Sequence, residues 1–174
     1  MSHGQSVCVV TGGSLGIGLA VCHTFSENDY RVINLDVRDF DDTPTNAEWV
    51  ACDVSSMEQV RHAIDNIAVK YGRIDALVCN AGMHVSATIE DTDEALLDKI
   101  MSLNIKGAYG AIKASLPTMK AQKSGAIVVM GSDQCFVGKQ NSFAYGLTKS
   151  ALASMAKTTA CLLYTSDAAD EVDS

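Results

Sequence analysis

The sequence predicts a doubly wound α/β sheet, and three observations carry that prediction. Short apolar runs of strand length recur along the chain, separated in most cases by segments long and periodic enough for helices. The runs lack strict alternation of apolar and polar residues, as in parallel strands covered on both faces. The first run stops in a glycine-rich turn, Thr11-Gly12-Gly13-Ser14-Leu15-Gly16-Ile17-Gly18, which opens a helix. Right-handed crossovers between parallel strands then wind the sheet in two directions.

Ser6–Thr11 is the first strand, and Gly16–Glu27 follows with Ile17, Ala20, Val21 and Phe25 at helical spacing. Arg31–Leu35 is a second strand ending in Asp36. Asp39–Asn46 is polar, contains Pro44 and reads as a loop. Glu48–Cys52 is a third strand. The next helix starts after Asp53: Ser56 followed by Gln59 forms a capping box, and Val60, Ile64, Ile67 and Ala68 give its apolar stripe. It ends at Tyr71-Gly72. Ile74–Cys79 is the fourth strand. Thr92–Lys99 begins a helix with Ala95, Leu96 and Ile100 on one face, and a separate helix rich in small residues runs from Ile105 to about Gln122. Ala126–Met130 is the fifth strand and Ala144–Thr159 the last helix. No internal repeat or linker divides the chain, so residues 1–160 form one domain.

Composition narrows the function classes. The formal net charge is -8, but four acids fall in the last eight residues, and through Ala160 the balance is only -4. No basic patch interleaved with aromatics is present, which argues against nucleic acid as a ligand. The six cysteines, Cys8, Cys22, Cys52, Cys79, Cys135 and Cys161, form no CxxC pair and sit largely among apolar residues, as buried thiols of a reducing compartment do. No leader-like segment or membrane-length apolar window occurs, so the expectation is a cytoplasmic protein without membrane contact. His3, His23, His62 and His84 do not form a ligand set, and no metal is expected. Only His84, shortly after Gly82, is placed to approach a site.

The glycine turn carries the first chemical signal. Small residues let the backbone turn sharply and approach a ligand closely, while unpaired N–H groups at a helix start attract a pyrophosphate. Gly12, Gly16 and Gly18 give the spacing Gly-x-x-x-Gly-x-Gly, which is not the GxGxxG of many dinucleotide folds. Asp36, at the end of the second strand, is placed to accept hydrogen bonds from the adenosine ribose hydroxyls and to repel a 2′-phosphate. The nearest base is Arg38. The cofactor expected is therefore NAD, with NADP disfavoured.

These residues resemble the short-chain dehydrogenase/reductase family from Val7 to about Thr159. The Thr-Gly-x-x-x-Gly-x-Gly turn is Thr11–Gly18, bringing Gly12, Ser14, Leu15, Gly16, Ile17 and Gly18 to the cofactor. Asp53-Val54 matches the acidic-Val pair that touches adenine in the family. Asn80-Ala81-Gly82 matches its Asn-Ala-Gly element, Asn104 the helix asparagine, Ser132 the active-site serine, and Tyr145 with Lys149 the Tyr-x-x-x-Lys pair. The resemblance implies a Rossmann-type sheet in the order 3-2-1-4-5. It implies that Tyr145 is general acid/base, that Lys149 also binds the nicotinamide ribose, and that Asn104 helps hold a proton-relay water. Tyr145 and Lys149 stand four apart on one helix face. A phenol with a pKa of about 10 is a poor base at neutral pH unless a neighbouring positive charge favours its phenolate. Ser132, just past the fifth strand, could hydrogen-bond a substrate oxygen.

The expected reaction is reversible oxidation of a secondary alcohol to a ketone, on a sugar, hydroxy acid or 3-oxoacyl compound. Asp133-Gln134 make the loop after Ser132 polar, which would suit a polyhydroxylated substrate. Gly131 stands where the family often has another serine. Two further readings stay open: a non-catalytic dinucleotide-binding regulatory protein, and an isomerase or dehydratase on the same fold. The resemblance also implies a homodimer or homotetramer, paired through the last helix and the small-residue helix before the fifth strand. The family domain is longer than this chain, and Cys161–Glu171 resembles a translated sequencing adapter. The expectation is therefore a sheet incomplete at its C-terminus, truncated near Ala160, with a foreign disordered tail at 161–174. Such a chain is expected to fold poorly, aggregate or lack activity because its fifth strand is an open edge.

Overall fold

The computed structural model describes the backbone of residues 4–170 and the side chains of residues 4–161. Five parallel strands, β1 (Val7–Thr11), β2 (Arg31–Asp36), β3 (Ala47–Ala51), β4 (Ala76–Cys79) and β5 (Ala126–Val129), form one sheet in the order β3-β2-β1-β4-β5. The order reverses between β1 and β4. There the carboxyl ends of the strands diverge, leaving the crevice in which sheets of this kind bind ligands. Among the described residues the α-helices are α1 (Gly16–Glu27), α2 (Met57–Tyr71), α3 (Glu94–Met101), α4 (Gly107–Gln122) and α5 (Phe143–Asp170).

The mostly apolar runs are explained by two cores. Val7, Val9, Ile33, Leu35, Leu77 and Cys79 face Val60, Ile64 and Ile67 of α2, Ala111 and Ile112 of α4, and Leu152 of α5. The intervening Cys8, Val10, Val32, Ala76 and Val78 face Cys22 of α1, with Val21 and Phe25 packed beside it. Full burial of one such aliphatic side chain contributes roughly 1.5–3 kcal/mol. Cys8, Cys22, Cys52 and Cys79 are buried thiols. Burial pushes Cys52 up to about 11 and Cys79 up to about 12, so these thiols stay protonated.

Local chemistry sets the helix ends. Ser56 accepts the Gln59 N–H, but the Gln59 carbonyl reaches back to the N–H of Asp53 instead of Ser56, extending the expected box by a loop turn. Gly72 closes α2 in the left-handed region at φ 70°, a conformation costly for any residue with a Cβ. β4 is shorter than the apolar run beginning at Ile74. The Gln122 side chain takes both backbone groups of Ile74, accepting at 2.8 Å and donating at 3.0 Å in place of a strand neighbour.

Two expectations are corrected here. The segments read as separate helices form one continuous rod from Glu94 to Gln122, joined by a π-helical turn at Ser102–Lys106. The backbone stays helical through the join, and one extra residue in the turn shifts the register without breaking the rod. The last helix does not stop at Thr159: α5 continues to Asp170. The rest of the predicted tail, 171–174, lies outside the described residues, as does His3.

Candidate active site

The turn after β1 is fixed from three strands. The Gly12 N–H donates to the Leu35 carbonyl at the end of β2. Thr11 Oγ1 accepts the N–H groups of Asn80 and Ala81 beyond β4, each at 3.1 Å. Asn80 Nδ2 returns to the Gly12 carbonyl at 2.8 Å. Asn80 and Ala81 are thus a brace for the turn, and Gly12, at φ 69°, lies so close to Ala81 that a Cβ would meet its Cα at 2.8 Å. At Gly18 a Cβ would fall 2.0 Å from the Gly12 carbonyl oxygen. Gly16 differs: its φ is 57°, yet the space beside it is open. Leu15 and Ile17 flank that opening and are 48% and 66% exposed, an unusual placement for two aliphatic side chains. α2 and α3 are capped by the side chains of Ser56 and Asp93, whereas α1 has no side-chain cap. Its first N–H groups have no carbonyl partners within the helix.

Asp36 ends β2 beside this turn, its Oδ2 accepting the Ser14 N–H at 3.1 Å. The Trp49 indole donates to the Asp36 carbonyl at 2.9 Å, and the Arg38 guanidinium is ion-paired with Asp41. Just past β3, Asp53 is exposed and holds the Ser55 hydroxyl and N–H, while Val54 is buried. Gly107 lets the start of α4 approach Val54, whose carbonyl oxygen would sit 3.0 Å from a Cβ there.

A second cluster lies past β4 and β5. Asn104, in the π-turn, is buried with every polar group of its amide engaged. Its Oδ1 accepts the Met83 N–H at 2.8 Å, and its Nδ2 donates to the Met83 carbonyl and Thr148 Oγ1, each at 3.0 Å. Thr148 in turn donates to the Tyr145 carbonyl. The amide therefore ties the segment after Gly82 to the first turns of α5. A parallel bridge between Ala87 and Ser142 makes the same connection in backbone. His84 adds a third link: its Nε2 lies 3.1 Å from Ser142 Oγ, and its ring meets the Tyr145 ring edge-on at 4.8 Å.

Lys149, one turn after Tyr145, is 4% exposed. Its ammonium donates to the Met130 carbonyl at the end of β5 at 2.6 Å and lies 5.5 Å from the Tyr145 ring centroid. Burial holds its pKa below the ordinary lysine value, with the Cys135 sulfur opposing. Ser132 caps a short 3-10 turn, Asp133–Cys135. Its hydroxyl donates to Asp133 at 2.8 Å and accepts the Gln134 N–H.

The structure thus gathers Gly12, Ser14, Leu15, Gly16, Ile17, Gly18, Asp36, Asn80 and Ala81 around one turn. It links Gly82, Asn104, Tyr145 and Lys149 around the start of α5. Ser132 follows β5 but bonds within its own turn. Sequence reasoning missed Thr148, Ser142 and Asn34, small polar residues that lack a motif of their own. The one available signal was Asn34, a lone amide inside the apolar run of β2. Among the described residues no three His, Cys, Asp or Glu side chains are grouped to hold a metal ion, and no helix is long and apolar enough to cross a membrane.

Residues 6–167 match the family described as short chain dehydrogenase. A short-chain dehydrogenase reductase of Arabidopsis thaliana is 32% identical over 165 residues, which cover 91% of this chain. The chain spans only 61% of that relative's length. Among solved structures, ElxO with NADP bound is 32% identical and superposes with a TM-score of 0.87 over 92% of this chain and 69% of its own. NAD+-bound xylitol dehydrogenase is 28% identical, with a TM-score of 0.83 over 92% of this chain and 65% of its own.

Proposed function

The chain belongs to the short-chain dehydrogenase/reductase family, and from that premise we propose that it binds NAD(H) at the Gly12–Gly18 turn and serves the oxidation of a secondary alcohol to a ketone. The observation that carries the catalytic half is Lys149: a buried ammonium fixed at the carboxyl end of β5 and 5.5 Å from the Tyr145 ring. Desolvating that charge is costly, and burial lowers its pKa below the ordinary lysine value. Chemistry at Tyr145 gives such a charge a use. Its field stabilises negative charge developing on the phenolic oxygen as Tyr145 takes the substrate's hydroxyl proton.

The residues around the turn fit a dinucleotide. The uncapped start of α1, the open space beside Gly16 and the exposed Leu15 and Ile17 suit a pyrophosphate and its attached rings. Asp53 and Val54 are assigned to the adenine side, and Asn80, Ala81 and Gly82 to the segment lying against the cofactor. When bound, the dinucleotide supplies the hydride acceptor or donor. Asp36 favours NAD because its carboxylate can accept ribose hydroxyls and would repel a 2′-phosphate, while Arg38 is occupied by Asp41. The neighbours with NADP bound and with NAD+ bound support a nicotinamide dinucleotide in general.

Ser132 is assigned the substrate oxygen, for which its hydroxyl must turn from Asp133. Asn104 acts through Met83 and Thr148 as a positioning residue for the start of α5. Polar Asp133 and Gln134 beside Ser132, and the likeness to a xylitol dehydrogenase, favour a polyhydroxylated substrate. The test is turnover with NAD+ across polyols, hydroxy acids and 3-hydroxyacyl compounds. Polyol-dependent NADH formation that Tyr145→Phe abolishes, with NADH binding retained, is expected; unchanged turnover in that variant would refute the assignment.

A further inference from the structure

Asn34 stands in the middle of β2, between the apolar Ile33 and Leu35, and is fully buried. Strand packing has no need of an amide there, and burying one is unfavourable unless its groups are paired. Asn34 is paired entirely with the glycine turn. Its Oδ1 accepts the Gly13 N–H at 2.8 Å and its Nδ2 donates to Ser14 Oγ at 2.8 Å. The turn rests directly on this amide, since a Cβ at Gly13 would lie 2.7 Å from Asn34 Oδ1. Ser14 carries the connection onward. Its hydroxyl donates to the Arg38 carbonyl at 2.5 Å, its N–H donates to Asp36 Oδ2 at 3.1 Å, and its carbonyl accepts the Asp41 N–H at 3.0 Å.

We propose that Asn34 is a positioning residue for cofactor selection: it locks the phosphate-binding turn to the loop that carries Asp36, Arg38 and Asp41. The proposal rests on the dinucleotide reading above. The carboxylate that meets the ribose and the base nearest to it are both referenced to Ser14, and Ser14 is referenced to Asn34. With the amide in place, the ribose-facing carboxylate stays at a fixed distance from the pyrophosphate-facing turn, which favours an unphosphorylated ribose. Without it, the loop can shift relative to the turn, and the penalty against a 2′-phosphate relaxes. Asn34 itself touches neither ribose nor phosphate.

The test is equilibrium binding of NADH and NADPH to the full chain and to Asn34→Leu, read from the fluorescence of Trp49, the single tryptophan. Loss of two buried hydrogen bonds is expected to weaken NADH by about tenfold or more, and NADPH by less than about threefold, so that the preference between them narrows. Asn34→Thr is the second variant, a good strand former that supplies one hydroxyl in place of the amide. It is expected to move the preference in the same direction by a smaller factor, and it decides the matter if Asn34→Leu does not fold. A strand-filling role alone would lower the melting temperature while leaving the NADH-to-NADPH ratio within about twofold of the parent, and that result would overturn the proposal. If the unaltered chain binds neither dinucleotide, the cofactor reading fails first and the role of Asn34 falls with it.

Discussion

At the scale of single residues, the two ends of the site make opposite demands. The turn is made of residues that cannot grow. Gly18→Ala would place a Cβ 2.0 Å from the Gly12 carbonyl oxygen, and neither that backbone nor the Asn80 amide beside it can yield without breaking the turn. The expected cost is about 3 kcal/mol in chemical denaturation, at the upper end for overpacking. Gly16→Ala has open space and carries only the left-handed backbone penalty of about 1 kcal/mol. The end at Tyr145 instead rests on a charge kept out of water, the Lys149 ammonium. Burial lowers the Lys149 pKa in the folded state, so the unfolded chain binds that proton more tightly. The resulting destabilisation is present at neutral pH and is relieved as pH rises toward the ordinary lysine value of about 10.4. Lys149→Met is therefore expected to abolish turnover while flattening the alkaline rise in melting temperature; an unchanged slope would show that the ammonium is not desolvated. Tyr145 and Lys149 were singled out in the sequence by their resemblance to a family motif, since an i, i+4 pair alone could be a surface contact, and the structure places the ammonium 5.5 Å from the ring centroid. Asn34 and Thr148 were not, because a buried amide or hydroxyl shows its purpose only when its distant partners are in view.

At the scale of elements, the strands were legible because burial on both faces demands mostly apolar runs, and the two cores show that demand at Val7–Val10 and at Val32, Ile33 and Leu35. The extension of β4 was misread at Ile74, where a glutamine side chain from α4 replaces a strand neighbour. The π-turn was invisible because one extra residue within a helix has no signature of composition. It matters nonetheless, since it contains Asn104 and aims its amide at Met83 and Thr148. Deleting Leu103 should let α3 and α4 fuse into a regular helix and turn Asn104 away from both partners. The expected outcome is retained helix content by circular dichroism and retained NADH binding, with turnover reduced by about a hundredfold or more, the scale of a misplaced catalytic group. Equal turnover would show that the π-turn is incidental to the site.

At the scale of the whole molecule, the sheet has a protected centre and an open side. Among the described residues β5 pairs only with β4, and Val128 on its outer face is 50% exposed. A parallel edge with exposed valine is a template for further pairing. The chain is expected to self-associate in light scattering, and Val128→Lys to shift it toward the monomer; a monodisperse parent would contradict that expectation. The cofactor half lies away from this edge, around the β1 and β2 ends, where Trp49 donates to the Asp36 carbonyl. The central claim is that this turn, with Asp36, holds NAD(H). Its most direct test is a titration of the chain with NADH and NADPH, followed by quenching of Trp49 and energy transfer to the reduced nicotinamide. The account expects saturable binding with NADH the tighter ligand, and loss of that preference in Asp36→Ala. No saturable change with either dinucleotide, or a preference indifferent to Asp36, would contradict it.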